Sequence, residues 1–137
     1  MQTGALLFCG AVSTKTLIDM SDKTEFVKAY FPVWWPHGKN CMVPLIGTTV
    51  LSNIAAWYFT KDWRFLVSGG FCASVGFYTG LFMKEDSIDP LMKSEDATDD
   101  DIQTFVKKFC RKHHPRTLLA LTGLAVSIWA AVTELKK

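Results

Sequence analysis

MVPLIGTTVLSNIAAWYFT (residues 42–60), KDWR (61–64) and FLVSGGFCASVGFYTGLFM (65–83) decide the fold class. Neither apolar run holds an Asp, Glu, Lys, Arg or His, and each matches the roughly 20 residues of a bilayer-crossing helix. Between them stand only Lys61-Asp62-Trp63-Arg64, which predicts two antiparallel helices joined by a tight turn. Pro44 falls in the first turn of its run, where a missing N–H costs little. Asn53 is the only strongly polar side chain in that run.

Working outward, a further apolar run covers Thr117–Thr133, and a weaker one covers Gln2–Met20. Lys15 and Asp19 interrupt the second half of the weaker run. The uncharged stretch ahead of Lys15 is short for a crossing, so the natural chain is expected to begin earlier. No basic region precedes it, which argues against a cleaved signal peptide. Over all 137 residues, 49% are hydrophobic and 20% charged, and a mean hydropathy of +0.15 conceals this segregation. The net charge of +2 is too small and too mixed in sign for nucleic-acid binding.

The two long connections are amphipathic. Tyr30, Phe31, Trp34 and Trp35 mix with prolines, His37 and Lys39, a composition suited to the membrane–water boundary. Thr98 followed by Asp99, Asp100 and Asp101 reads as a helix start, with an N-cap and acids in the first turn. Ile102, Phe105, Val106, Phe109 and Cys110 then recur at helical period. The expectation is an all-α integral membrane four-helix bundle with an additional amphipathic interfacial helix. The spans fall at about 2–20, 42–60, 65–83 and 117–133 of a single domain, and the interfacial helix at about 99–113. An even number of spans puts both termini beside Lys61–Arg64. The Lys and Arg residues concentrate in the two long connections on the opposite side, which favours that opposite side as cytoplasmic or matrix. An organelle membrane, either the mitochondrial inner membrane or the endoplasmic reticulum, is the expected location.

Chemistry-bearing residues are sparse. Cys9, Cys41, Cys72 and Cys110 form no CxxC, which argues against a disulfide framework, a zinc ribbon or a thioredoxin-like site. His37, His113 and His114 with Asp19 lack metal-ligand spacing, so no metal is expected. No phosphate loop, nucleophile elbow or haem motif is present, so no cofactor is expected either. Ser68, Cys72, Gly76 and Gly80 form a small-residue stripe suited to close helix packing. It serves either contacts within one bundle or a homodimer through the Gly76/Gly80 face. His113, His114 and Arg116 are either a proton-handling, ligand-binding cluster or a basic anchor for lipid headgroups. Lys15 and Asp19, four apart, either pair on one helix face or reach separately into the interface.

The order of these features resembles the anthrone oxygenase-like family of small four-span membrane proteins. The resemblance rests on Gly10-Ala11 in a short first span, Tyr78-Thr79 to Met83, Ile88-Asp89-Pro90-Leu91, and His113-x-x-Arg116 before the last span. It implies a four-helix membrane bundle and, in characterised fungal members, oxygenation of anthrone carbons to anthraquinones. Carried over, His113 and Arg116 match the family's His and Arg, and Asp19 stands where an acid is common. Ser21-Asp22-Lys23 replaces a Pro-Ala-Arg-like sequence, and Asp89 replaces an Asn. Two functions are therefore expected in order. The first is a non-catalytic accessory subunit, packed among lipids and other subunits of a larger membrane complex of respiratory type. The second is an anthrone-type oxygenase taking a planar aromatic substrate from the membrane, with His113, Arg116 and Asp19 as its catalytic residues.

Overall fold

A computed structural model describes residues 13–136, and all regular structure among them is helical. A short α1 (Thr14–Asp19) precedes α2 (Thr24–Thr60). Next comes α3 (Trp63–Tyr78), which continues through a π-helical stretch (Thr79–Ile88) into α4 (Asp89–Met92). A 3₁₀ turn (Ser94–Asp96) leads to α5 (Asp99–Glu134). Three helical stretches, Thr24–Thr60, Trp63–Met92 and Asp99–Glu134, are long and apolar enough to cross a membrane. Of the first span expected at 2–20, residues 2–12 lie outside the described part, and α1 is the helix in the remainder.

Two of the long helices run farther than their apolar stretches. With 37 residues in α2 and 36 in α5, each reaches about 55 Å, against roughly 30 Å of bilayer hydrocarbon. The aromatic connection expected around Tyr30–Lys39 is therefore part of α2, which continues past Pro32, Pro36 and Pro44. An interior proline typically costs about 3 kcal/mol, so packing must offset it. Aromatic rings at helical spacing supply that packing. Phe26, Tyr30 and Trp34 stack in succession at 5.2 and 6.1 Å, and Phe31 stacks on Trp35 at 6.1 Å.

The segments expected as an interfacial helix (99–113) and a separate span (117–133) are likewise one helix, α5, continuous through Pro115. Ile102, Val106, Phe109, His113, Arg116, Ala120 and Gly123 are all buried. Their steps of three and four residues hold one face in phase across the proline.

The extended ends of the helices build a compact head. Its core contains Leu17, Val27, Phe31, Met83, Ile88, Leu91, Ile102, Val106, Phe109 and Cys110. Phe109 meets Phe31, Trp34 and Trp35 edge-on at 5.3, 6.2 and 5.7 Å, the arrangement that ring quadrupoles favour. Hydrogen bonds tie the head together: Thr24 Oγ1 donates to Asp99 Oδ1 at 2.7 Å, and Lys112 Nζ donates to the Phe82 carbonyl at 2.5 Å. Lys112 also pairs with Asp86.

Away from the head the helices form a thin stem, with Val43, Leu51, Phe59, Phe77, Leu81, Leu118 and Ile128 exposed. Such a surface suits lipid rather than water. Inside the stem Ser68 Oγ donates to the Gly123 carbonyl at 2.7 Å and lies 2.6 Å from Ser127 Oγ. Ser127 Oγ donates to Asn53 Oδ1 at 3.0 Å, so one polar chain joins α2, α3 and α5.

At the far end Lys61 takes the left-handed conformation (φ 59°) that closes α2, with its N–H on the Trp57 carbonyl at 2.7 Å. Asp62 Oδ1 caps α3 through the Arg64 N–H at 3.0 Å. Arg64 Nη1 donates to Thr133 Oγ1 at 3.0 Å, and its guanidinium lies 4.8 Å from the Trp129 ring centroid. These contacts place the end of α5 beside the Lys61–Arg64 turn, as an odd number of crossings from the head requires.

Candidate functional site

A cavity of about 460 Å³ opens where the head meets the stem. From α2 it takes Trp34, Trp35, Gly38, Lys39, Met42, Val43 and Ile46. From α3 and the π-helical stretch it takes Gly76, Thr79, Gly80, Lys84 and Ile88, and from α4 Asp89 and Met92. From α5 it takes Phe109, His113 and Arg116. The volume falls within the few hundred to about 1,000 Å³ usual for small-molecule sites.

Helical geometry explains which polar groups face it. Phe109, His113 and Arg116 are spaced i, i+4 and i+7, so one face of α5 presents all three. His113 is 2% exposed and Arg116 5% exposed, an unusual burial for either residue type. The Phe109 and His113 ring centroids lie 6.3 Å apart, and Arg116 Nη1 lies 4.0 Å from Met83 Sδ. His114, one position round the helix, is exposed. The expected His113–His114–Arg116 cluster therefore divides: His113 and Arg116 line the cavity and His114 does not.

The π-helical stretch sets the opposite wall. Its i→i+5 bonding widens the turn, and Thr79, Gly80, Lys84 and Ile88 all line the cavity, with Lys84 exposed. Met83 and Ser87 turn the other way and are buried, with Ser87 Oγ donating to the Met83 carbonyl at 2.9 Å. Asp89 enters the cavity at the start of α4.

The small-residue stripe also divides. Ser68 and Cys72 pack on α5 at Gly123, where an added Cβ would meet Cys72 Sγ at 3.1 Å and the Ser68 carbonyl at 3.2 Å. Gly76 and Gly80 border the cavity instead. Among the described residues, a Cβ at Gly76 would reach only Ile46 Cδ1, at 4.0 Å, and one at Gly80 would meet nothing within 4 Å.

Asp19 is exposed at the end of α1 and is not among the cavity residues. Lys15 is exposed as well, and among the described residues no ion pair joins the two. His37 is exposed on α2. Among the described residues no group of three His, Cys, Asp or Glu side chains could hold a metal ion.

Sequence reasoning missed Trp34, Trp35 and Phe109 as walls of a site and Lys39, Lys84 and Thr79 as its polar lining. The Phe109–His113 spacing was a readable signal. Lys84, four residues after Gly80, borders the cavity but remains exposed.

Comparison of the chain with family models, curated proteins and solved structures gives no match.

Proposed function

We propose that this membrane protein binds a flat aromatic molecule in the cavity and oxygenates it, the anthrone-type chemistry that its family resemblance implies. The observation that carries the reading is the burial of His113 and Arg116 together in a cavity walled by Trp34, Trp35 and Phe109. Indole and phenyl faces suit a planar ring system, and a few polar groups suffice to orient it.

The proposed reaction converts a ring CH₂ and O₂ to a ring C=O and water. One oxygen atom stays on carbon and the other leaves as water, so the four electrons lost by the carbon reduce O₂ completely. The His113 imidazole takes the first proton from the activated carbon and returns a proton to the departing oxygen. Arg116, a fixed cation with a planar donor fork, holds the oxyanion that develops on the ring as the proton leaves. Burial strengthens both interactions, because the surroundings screen charge less than water does. Asp19, exposed outside the cavity, takes no part in this scheme.

Oxygen uptake with anthrone as substrate tests the proposal, run beside a pull-down from native membranes. Wild-type protein is expected to turn over, and His113→Ala to lose about 10²–10⁴-fold in rate while remaining folded and inserted. Absence of turnover, with partner chains that co-purify with wild type and are lost from His113→Ala and Arg116→Ala, would replace this reading with the accessory-subunit one.

A further inference from the structure

We infer that the cavity is filled sideways from the bilayer, through the gap that Gly76 and Gly80 leave between α2 and α3. The inference rests on the ligand-site reading above and adds the route and the residues that control it.

Gly76 and Gly80 are at once exposed and part of the cavity lining, so the boundary between cavity and surroundings passes through them. Both belong to the uncharged run 65–83, and they face Val43 and Ile46 in the uncharged run 42–60. The opening therefore lies in the uncharged runs, one helical turn from the exposed Lys39 and Lys84 that also line the cavity. The side chains around it are apolar: outside the cavity Phe77 is 72% exposed and Leu81 72%, and Val43 in the lining is 61% exposed. At the opposite end Trp34, Trp35 and Phe109 close on one another.

The helix interior gives glycine no advantage of its own, since alanine is more favourable there by roughly 1 kcal/mol. Among the described residues neither glycine serves close packing, because a Cβ would meet at most Ile46 Cδ1 at 4.0 Å. What the two missing side chains do is leave an open strip along α3 and the π-helical stretch. A flat ring can slide edge-on through such a strip, whereas a branched side chain at either position would stand across it. Gly70 has the same open surroundings on the same helix but does not border the cavity. It provides the matched control.

The experiment uses full-length protein in phosphatidylcholine vesicles, with Cys9 and Cys41 replaced by Ser and a reporter thiol introduced by Met92→Cys at the head end of the cavity. The probe is N-(1-pyrenyl)maleimide, a lipid-soluble flat aromatic that becomes fluorescent when a thiol adds across its double bond. Parallel protein without Met92→Cys gives the background from Cys72 and Cys110. Labelling of Met92→Cys is expected, slowed about tenfold by Gly76→Leu or Gly80→Leu and unchanged by Gly70→Leu. Equal labelling rates in all three leucine variants would overturn the lateral route while leaving the cavity as an aromatic site. Faster labelling by a sulfonated, water-soluble maleimide, insensitive to both portal substitutions, would overturn it in favour of entry from water. No pyrenyl labelling of Met92→Cys in any background would overturn the ligand-site reading, and the route with it.

Discussion

Substituting alanine for Gly123 should destabilise the protein, although the same change at Gly80 should stabilise it. A Cβ at Gly123 would lie 3.1 Å from Cys72 Sγ, 3.2 Å from Phe71 Cβ and 3.2 Å from the Ser68 carbonyl. Two of these are a backbone oxygen and a Cβ, which cannot swing aside, so α3 itself must retreat by a few tenths of an ångström. Retreat also strains the hydrogen bond from Ser68 Oγ to the Gly123 carbonyl, now 2.7 Å, and the Ser127–Asn53 link beyond it. Overpacking costs typically 1–3 kcal/mol, and an interhelical hydrogen bond within a membrane contributes about 0.6. Against this, Gly→Ala gains up to about 1 kcal/mol of helix propensity. The net expectation for Gly123→Ala is a loss of about 1–2 kcal/mol, and for Gly80→Ala a gain of up to about 1. Reversible unfolding in mixed micelles, followed by tryptophan fluorescence, measures both. Equal midpoints for the two variants would refute the packing argument, because they would mean that α3 and α5 do not approach at Gly123.

Two further expectations concern the turn and the thiols. Arg64→Lys should lower the melting temperature, because an ammonium cannot hold Asp62, Thr133 and the Trp129 ring together as the guanidinium does. Asp62→Asn should also lower it, and the double variant should lose less than the sum; full additivity would mean that the pair does not act as a unit. In a Cys9→Ser background, maleimide should label Cys41, which is exposed, while Cys72 and Cys110, both buried, react only on unfolding. Mass spectrometry of native and denatured samples tests this, and native modification of Cys72 would contradict its packing against Gly123.

The membrane class was legible because it depends on composition over a window, and no tertiary contact is needed to see that residues 42–60 and 65–83 lack charge. The tight turn was legible for the same reason, and so was the helix start at Thr98, whose Oγ1 accepts from the Asp101 N–H at 3.3 Å. Helix ends were not legible. The aromatic segment Tyr30–Lys39 and the segment His113–Arg116 read as connections between separate elements, and helices continue through both. Local propensity expresses a cost of a few kcal/mol, which the stacked aromatics of α2 and the unbroken buried face of α5 outweigh. That buried face was present in the sequence as the spacing from Ile102 to Gly123, and it was obscured only by reading the charged and apolar halves as separate elements.

By itself, the sequence determined that the chain is helical, apolar in long stretches, and equipped with one His-x-x-Arg pair on a helix face. What that pair faces follows from the packing of α2 and α3 against α5. Whether two small residues let helices touch or leave a gap depends on the neighbouring helix, and it differs between Cys72 and Gly80 within one stripe. Whether Lys84 borders a cavity depends on the α2 and α5 side chains that stand opposite it. Both are relations between segments distant in sequence, and periodicity within a single segment carries no information about them.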